Sequence, residues 1–391
     1  MGKRILLDHP SPILIGVAGG LAMAAAMGFG RFVYTPILPG MMAGVPLSPA
    51  DAGLIAGANF AGYLLGAILA AHGWAANRER GVALGGLLAT GILLLAMAVT
   101  DAITAFLIIR FLAGIASAFA MLFTSSIVLA HAARDEKVQI FHFGGVGFGI
   151  ALSSTLVLAI NVMLGNSGQS WRLEWIGSAL AVAIMLVITR RYLPRCGPSG
   201  TAGAEPILRW RMPLVLVMAS YGLFGFGYVI TATFLLTMAR QSQTGSAIEF
   251  LAWFVTGTTA AISLVAWRPF LRRFGPVAAY GACTGLEAAG ILASVLLPPV
   301  AGVLTGGVFL GLTFMAITAY GLQIGRMLAP RSPRRAMALM TAAFGTGQIV
   351  GPLVAGWVAE RTGDFTIPTL MAVAILSLST VLVLPLLREG L

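Results

Sequence analysis

Three charged residues lie where charge is least expected. Arg31 falls in MGFGRFVYTPILPGMM (residues 27–42), Arg110 opens RFLAGIASA and Glu287 sits in YGACTGLEAAGIL, each inside a long apolar run. A guanidinium presents a planar fork of N–H donors that suits the oxygens of a carboxylate, sulfonate or phosphate. A carboxyl group within an apolar run is a natural proton carrier. His142 is the one histidine of the four that falls well inside a run; His9, His72 and His131 fall at run edges. No HExxH, CxxC or GxxxxGK[ST] spacing accompanies these residues, so no metal, no cofactor and no ATP drive is expected. Cys196 and Cys283 are too far apart in kind, one in a loop and one in a run, to suggest a disulfide.

The elements that position these groups follow from composition. Hydrophobic residues make up 58% of the 391 residues and charged residues 9%, with a mean hydropathy of +0.94; soluble chains carry about 25% charged residues. This is the composition of a polytopic membrane protein. A helix needs about 20 apolar residues to cross the hydrocarbon core. Twelve runs qualify, near 13–42, 50–73, 80–99, 102–130, 138–163, 172–193, 211–239, 247–267, 274–297, 300–328, 335–359 and 366–387. They are continuous rather than alternating, which predicts helices and not barrel strands.

A net charge of +11 would suggest a nucleic-acid partner in a soluble chain, but its distribution points to the lipid bilayer instead. Of the 24 Lys and Arg residues, Arg31 and Arg110 lie within runs and Arg172, Arg240 and Arg361 on one side; the remaining nineteen, Lys3 and Arg4 included, fall on the other. The positive-inside rule then predicts that both termini are cytoplasmic. The first run is twice the length of a signal-peptide core, so an uncleaved first helix is expected.

A Gly-, Pro- and Ser-rich stretch, LPRCGPSGTAGAEPILRWR (residues 193–211), divides six runs from six. The halves repeat. An offset of 197 lays Gly28, Phe29, Gly30, Leu38 and Met41 on Gly225, Phe226, Gly227, Leu235 and Met238; 198 lays RFLAGIASA on VFLGLTFMA; 200 lays Gly145 and Gly147 on Gly345 and Gly347. The predicted fold is therefore all-α, with a six-helix bundle over 1–193, a cytoplasmic linker over 194–210 and a second, parallel-related bundle over 211–391.

Several stretches resemble the major facilitator superfamily. RFLAGIASA resembles its fourth-helix signature, RPFLRRFGP its second loop signature, and WRLEW (residues 171–175) the Trp-Arg pair at the start of helix 6. GAILAAHGWAANRERG, between runs 2 and 3, lacks the acidic residue that the loop signature carries, which removes the basis for the gating ion pair inferred from it. GFGRFVYTPILP is similar to the bacterial YbfB/YjiJ-like group. GQIVGPLVAG (residues 347–356) is similar to an antiporter signature, though it sits in run 11 rather than run 5.

The resemblance implies that helices 1, 4, 7 and 10 line a central cavity, and helical spacing puts Met27, Arg31, Tyr34 and Leu38 on one stripe and Tyr221, Gly225, Tyr228 and Thr231 on another. The candidate substrate-binding residues are Arg31, Tyr34, Asn59, Arg110, Tyr221, Tyr228, Tyr320, Gln323 and Gln348; those for proton coupling are Glu287 and His142, for which the structural alternatives are a protonated Glu287 hydrogen-bonded to a neighbouring helix and a packed or water-facing His142. Pro36 and Pro39 mark a bend just beyond Arg31. Each tyrosine also suits plain helix packing, and the glycines of runs 5 and 11 suit close helix approach.

An arginine near the bilayer centre costs about 2.5–3.5 kcal/mol on insertion scales, so it needs a partner. Counting about 1.5 Å per residue, Arg31 lies roughly 18 Å and Arg110 roughly 14 Å from the ends of their runs, at one level. Asp8, Asp51, Glu79, Asp101, Asp135, Glu136 and Glu174 all fall at run ends or in loops, leaving the first half without an internal acid. The expected partner of Arg31 is the substrate; Arg110 can equally turn to backbone carbonyls. The function expected is secondary active transport of a small organic anion across the bacterial inner membrane, proton-coupled, by a monomer. Export of drugs or metabolites by the same fold is the alternative, and a membrane enzyme or transport-dead sensor the reading of another class.

A cysteine at position 199 is expected to resist an impermeant thiol reagent supplied from the periplasm of intact cells. Efficient labelling from that side would reverse the topology.

Overall fold

A computed structural model describes residues 11–132, 135–164, 169–195 and 205–389. Lys3, Arg4, Asp8, His9, Arg134, Cys196 and position 199 lie outside the described residues. Twelve helices are long and apolar enough to cross a membrane, and no strand occurs among the described residues. They are α1 (Pro12–Gly44), α2 (Pro49–Ala70), α3 (Glu79–Met97), α4 (Ile103–Ala132), α5 (Glu136–Leu164), α6 (Ser170–Tyr192), α7 (Met212–Gln241), α8 (Ser246–Ala266), α9 (Arg268–Leu296), α10 (Pro299–Leu328), α11 (Pro333–Thr362) and α12 (Thr366–Val383). The apolar runs locate most of these helices to within a turn.

Local chemistry sets the helix starts. Pro12, Pro49, Pro299 and Pro333 stand at the first position of their helices, where a missing N–H costs nothing. Ser48 and Asp51 cap α2 reciprocally: Asp51 N donates to Ser48 Oγ at 3.1 Å and Ser48 N to Asp51 Oδ2 at 3.0 Å. Run 9 begins later than its helix because RPFLRRF forms a short helix of its own; Gly275, at φ 80°, breaks the chain before Pro276 starts the spanning segment.

Helix α1 is not uniform. It is α-helical over Pro12–Met23, π-helical over Ala24–Phe32 and α-helical again over Tyr34–Gly44. The change of register falls immediately before Pro36, whose ring nitrogen has no hydrogen to offer the preceding turn.

Helices α1–α6 pack as α1 on α5, α2 on α4, α3 on α4 and α3 on α6; α7–α12 repeat this as α7 on α11, α8 on α10, α9 on α10 and α9 on α12. Between the two sets, α2 meets α11, α5 meets α8 and α1 meets α7. Thr35 Oγ1 donates to the Ala232 carbonyl at 2.5 Å. These two residues are 197 apart, the offset that aligns the halves, so the contact lies where the repeats meet about their shared axis. The glycines of α5 and α11 obey a slightly different register from the 200 read in sequence. Gly147 faces Ala261 of α8 and Gly345 faces Leu64 of α2, each across the interface, whereas Gly149 faces Ala24 and Gly347 faces Gly222 within their own sets. Both pairs are 198 apart, matching α4 and α10.

The two ends of the interface differ. At the end opposite the 194–210 linker, a Cβ on Gly53 would come within 2.2 Å of the Pro352 carbonyl and one on Gly356 within 2.3 Å of the Pro49 carbonyl, while Ser154 Oγ donates to the Phe250 carbonyl at 2.9 Å. Backbones touch there. At the linker end a cleft of about 470 Å³ opens between α5, α8, α9 and α10. Glu136 and Arg268, both partly exposed, pair across its mouth. A cross-half ion pair is thus present near the linker, from residues other than those of the loop between α2 and α3.

Gly53→Trp is expected to part α2 from α11 at the far end. A cysteine at the buried Ala232, in a chain with its native cysteines replaced, should then react with an impermeant reagent supplied from that side; no gain in reactivity by a folded variant would contradict the tight contact.

Candidate functional site

Arg110 enters from α4 and is 2% exposed. Its Nη1 donates to the Gly30 carbonyl at 3.1 Å and its Nη2 to the Arg31 carbonyl at 3.0 Å, both in the last π-helical turn of α1. Its own carbonyl accepts from Asn59 Nδ2 at 2.9 Å. The Tyr34 ring lies under the guanidinium at 5.2 Å, and the Tyr34 hydroxyl donates to the Ala52 carbonyl at 3.0 Å. Three of the sequence candidates, Arg110, Asn59 and Tyr34, are thereby tied to backbone. Each donor goes to a carbonyl that apolar surroundings would otherwise leave dry.

Arg31 is 4% exposed and is placed differently. Its guanidinium lies over the rings of Tyr63 at 4.3 Å and Phe60 at 4.4 Å, which stabilise the charge without using its N–H groups. Nε and Nη2 are buried and meet no hydrogen-bond partner, and no described acid pairs with it. Those two nitrogens share one edge of the guanidinium. Arg240 shows what that edge accepts: its Nε donates to one Glu249 oxygen at 2.9 Å and its Nη2 to the other at 2.5 Å.

The facing wall comes from α7, α10 and α11. Tyr228 stacks on Phe314 at 6.0 Å and 2°, on Phe344 at 5.7 Å and 5°, and on Phe224 at 4.9 Å and 23°. Tyr221 joins through Phe344 at 4.9 Å and donates its hydroxyl to the Thr318 carbonyl at 3.2 Å. Gln348 Nε2 donates to the Tyr228 hydroxyl. Phe32, next to Arg31, meets Phe314 edge-on at 6.0 Å, so the two walls touch. Space at Arg31 is about 10 Å³, bounded also by Phe32, Thr35, Ala56 and Thr233.

Tyr320 lines the linker-end cleft, with its hydroxyl buried and unpartnered, and Gln323 is half-buried one turn further on. Glu287 is fully buried; its Oε2 accepts from Thr313 Oγ1 at 3.0 Å, beside Phe314, while Oε1 has no partner. It faces α10 and the tyrosines rather than lipid. His142 is also fully buried, its Nε2 2.9 Å from Ser125 Oγ, and it packs on Gly19, away from Arg31.

Two expectations need correction. The sequence puts Glu174 at a run end, but it is 2% exposed, with one carboxylate oxygen unpartnered, near Asn161, Arg240 and Glu249. Glu79 is 7% exposed. The first half therefore does bury acids, although neither pairs with Arg31 or Arg110. Glu174 is buried because α6 begins early and tucks its first turns against Gly40 of α1. Phe60, Tyr63, Phe314 and Phe344 join the site without having stood out in the sequence. Phe60 and Tyr63 sit one turn apart beside Asn59 in ANFAGY, a spacing that puts both on one face of α2.

Residues 23–384 match the family described as uncharacterised MFS-type transporter YbfB. The chain belongs to that family. Solved structures of the same fold include a point mutant of the nucleoside transporter NupG, at 14% identity and a TM-score of 0.74 over 96% of this chain and 99% of that one. A bacterial homolog of the human lysosomal transporter Spinster, inward-facing and unoccupied, aligns at 15% identity and 0.68 over 97% and 96%. An auto-inhibited POT family peptide transporter aligns at 13% and 0.68 over 98% and 97%. No curated protein sequence matches the chain. A YbfB-family chain with twelve spanning helices is an MFS-type transporter.

The two arginines should differ in stability tests. Arg110→Met removes two charge-assisted hydrogen bonds, each worth about 1.5–3 kcal/mol, and should lower the thermal midpoint of the purified protein markedly. Arg31→Met removes a charge without a polar partner and should leave the midpoint unchanged or raised. Equal losses would refute this division.

Proposed function

We propose that this chain is a secondary active transporter of a small organic anion with a carboxylate-like group, embedded in the bacterial inner membrane with both termini cytoplasmic. The bundles 1–193 and 211–391 rock about the α1–α7 contact, joined by the linker 194–210, so that Arg31 is exposed to one side and then the other. One observation carries the reading: Arg31 presents the same guanidinium edge that Arg240 gives to Glu249, buried and without a hydrogen-bond partner among the described residues. A substrate carboxylate completes that edge with paired hydrogen bonds and offsets the cost of the buried charge. Arg110 keeps the adjacent backbone in shape, and Asn59 and Tyr34 act through it. Two of the structural neighbours are a nucleoside transporter and a peptide transporter, whose substrates differ from one another and give no common chemistry beyond the fold.

Coupling is assigned to protons, with Glu287 as carrier: its carboxyl is linked by Thr313 to the Phe314 that contacts both Phe32 and Tyr228. His142, enclosed by α1, α4 and α5, is the second candidate.

Arg31→Lys should weaken substrate binding, because an ammonium cannot make the paired contact, and Arg31→Ala should nearly abolish it while folded protein persists in the membrane. Transport of a neutral or cationic solute by Arg31→Ala as well as by the parent would replace the anion reading with the export alternative. Glu287→Gln should end gradient-driven accumulation but spare counterflow; unaltered accumulation would remove Glu287 from the coupling path.

A further inference from the structure

Charge explains the Arg31 side of the site and leaves the other side unexplained. The rings of Tyr228, Phe314 and Phe344 come from three different helices yet lie within 5° of parallel about Tyr228. Phe224 and Tyr221 continue the array at 23° to their neighbours. Elsewhere the ring pairs run from 29° for Phe234 on Phe365 and 35° for Phe250 on Phe254 to 75° for Phe106 on Trp171 and 80° for Trp267 on Phe270, and none of these approaches the near-parallel setting about Tyr228. Both geometries are favourable for isolated pairs, so the contrast concerns what the set of rings presents. Parallel rings offer one common orientation to anything flat that lies against them.

The array is also held in place. Gln348 fixes the Tyr228 hydroxyl, and Tyr221 is fixed to the Thr318 carbonyl. Arg31 reaches the array through Phe32. On α10 the linker-end cleft is lined by Met315, next in sequence to Phe314, and by Tyr320 further along the helix.

We propose that the transported anion is a flat aromatic carboxylate, held by its carboxylate on Nε and Nη2 of Arg31 and by its ring against the Tyr228–Phe344–Phe314 array. This rests on the anion reading and narrows it from any small carboxylate to a planar aromatic one. Phe60 and Tyr63 already cover the face of the guanidinium, so the acid approaches along its edge, with its ring assigned to the wall that Phe32 joins to Arg31.

Binding of benzoate, cyclohexanecarboxylate and benzamide to the purified full-length protein tests this. The first two share the charged group and differ in flatness; the third keeps the flat ring and lacks the charge. Benzoate should bind about two- to tenfold more tightly than cyclohexanecarboxylate, the range stacking supplies, and Phe344→Leu should narrow that ratio. Benzamide should bind far more weakly than benzoate. Cyclohexanecarboxylate binding as tightly as benzoate, with both lost in Arg31→Ala, would overturn the aromatic inference and leave the anion reading intact. Benzamide binding as tightly as benzoate, unaffected by Arg31→Ala, would overturn both. Absence of saturable benzoate binding by folded protein would also count against the proposal. The comparison of ligands on the unaltered chain stands even where Phe344→Leu fails to fold.

Discussion

A helix turn ahead of a proline cannot complete its hydrogen-bond ladder, and inside a membrane no water is at hand to complete it. In α1 this constraint falls between Ala24 and Tyr34, where the helix widens to a π form before Pro36. Arg110 answers it by donating to the Gly30 and Arg31 carbonyls. Because one arginine is committed to backbone, the other is not needed there, and the Arg31 side chain can turn to Phe60 and Tyr63. The functional difference between two arginines at one level thus follows from where a proline interrupts a helix.

The same segment of α1 sits on the interface between the halves. Thr35, next to Tyr34, hydrogen-bonds the carbonyl of its repeat equivalent Ala232. Movement of one half against the other must therefore rearrange or pivot on the turn that presents Arg31. Far-end closure through Gly53, Gly356 and Ser154, with a cleft at the linker end, places Arg31 behind a closed face in this conformation. The Glu136–Arg268 pair spans the cleft mouth between partly exposed side chains, where an ion pair is weak enough to exchange.

Twelve helices are legible in the sequence because each is a continuous apolar run of membrane length, and the repeat because glycines recur at the contacts between first and fifth helices of each half. The register of α5 and α11 differs by two residues from its sequence reading, since GGVG and GTG patterns slide over one another and only contacts decide. Stripe arguments have little power for α1: nearly every residue from Ala22 to Leu38 is buried, so no face stands out, and the π segment shifts the 3.6-residue period on which a stripe depends. Arg31 stands out because charge in an apolar run is rare. Phe344 and Phe314 do not, because aromatic residues in apolar helices are common and only their mutual orientation distinguishes them. Glu174 lies near a helix end as counted, but counting along a run is blind to how deeply the neighbouring helix α1 buries that end.

The central claim is that one edge of the Arg31 guanidinium receives a carboxylate. It is tested most directly by NMR of protein labelled with ¹⁵N at arginine Nε, comparing spectra with and without benzoate, and using Arg31→Lys to assign the resonance. The Arg31 Nε–H signal is expected to move downfield on adding benzoate, while the Arg110 signal, whose guanidinium is held by carbonyls, moves little. An Arg31 signal unmoved by saturating benzoate, or moved equally by benzamide, would contradict it.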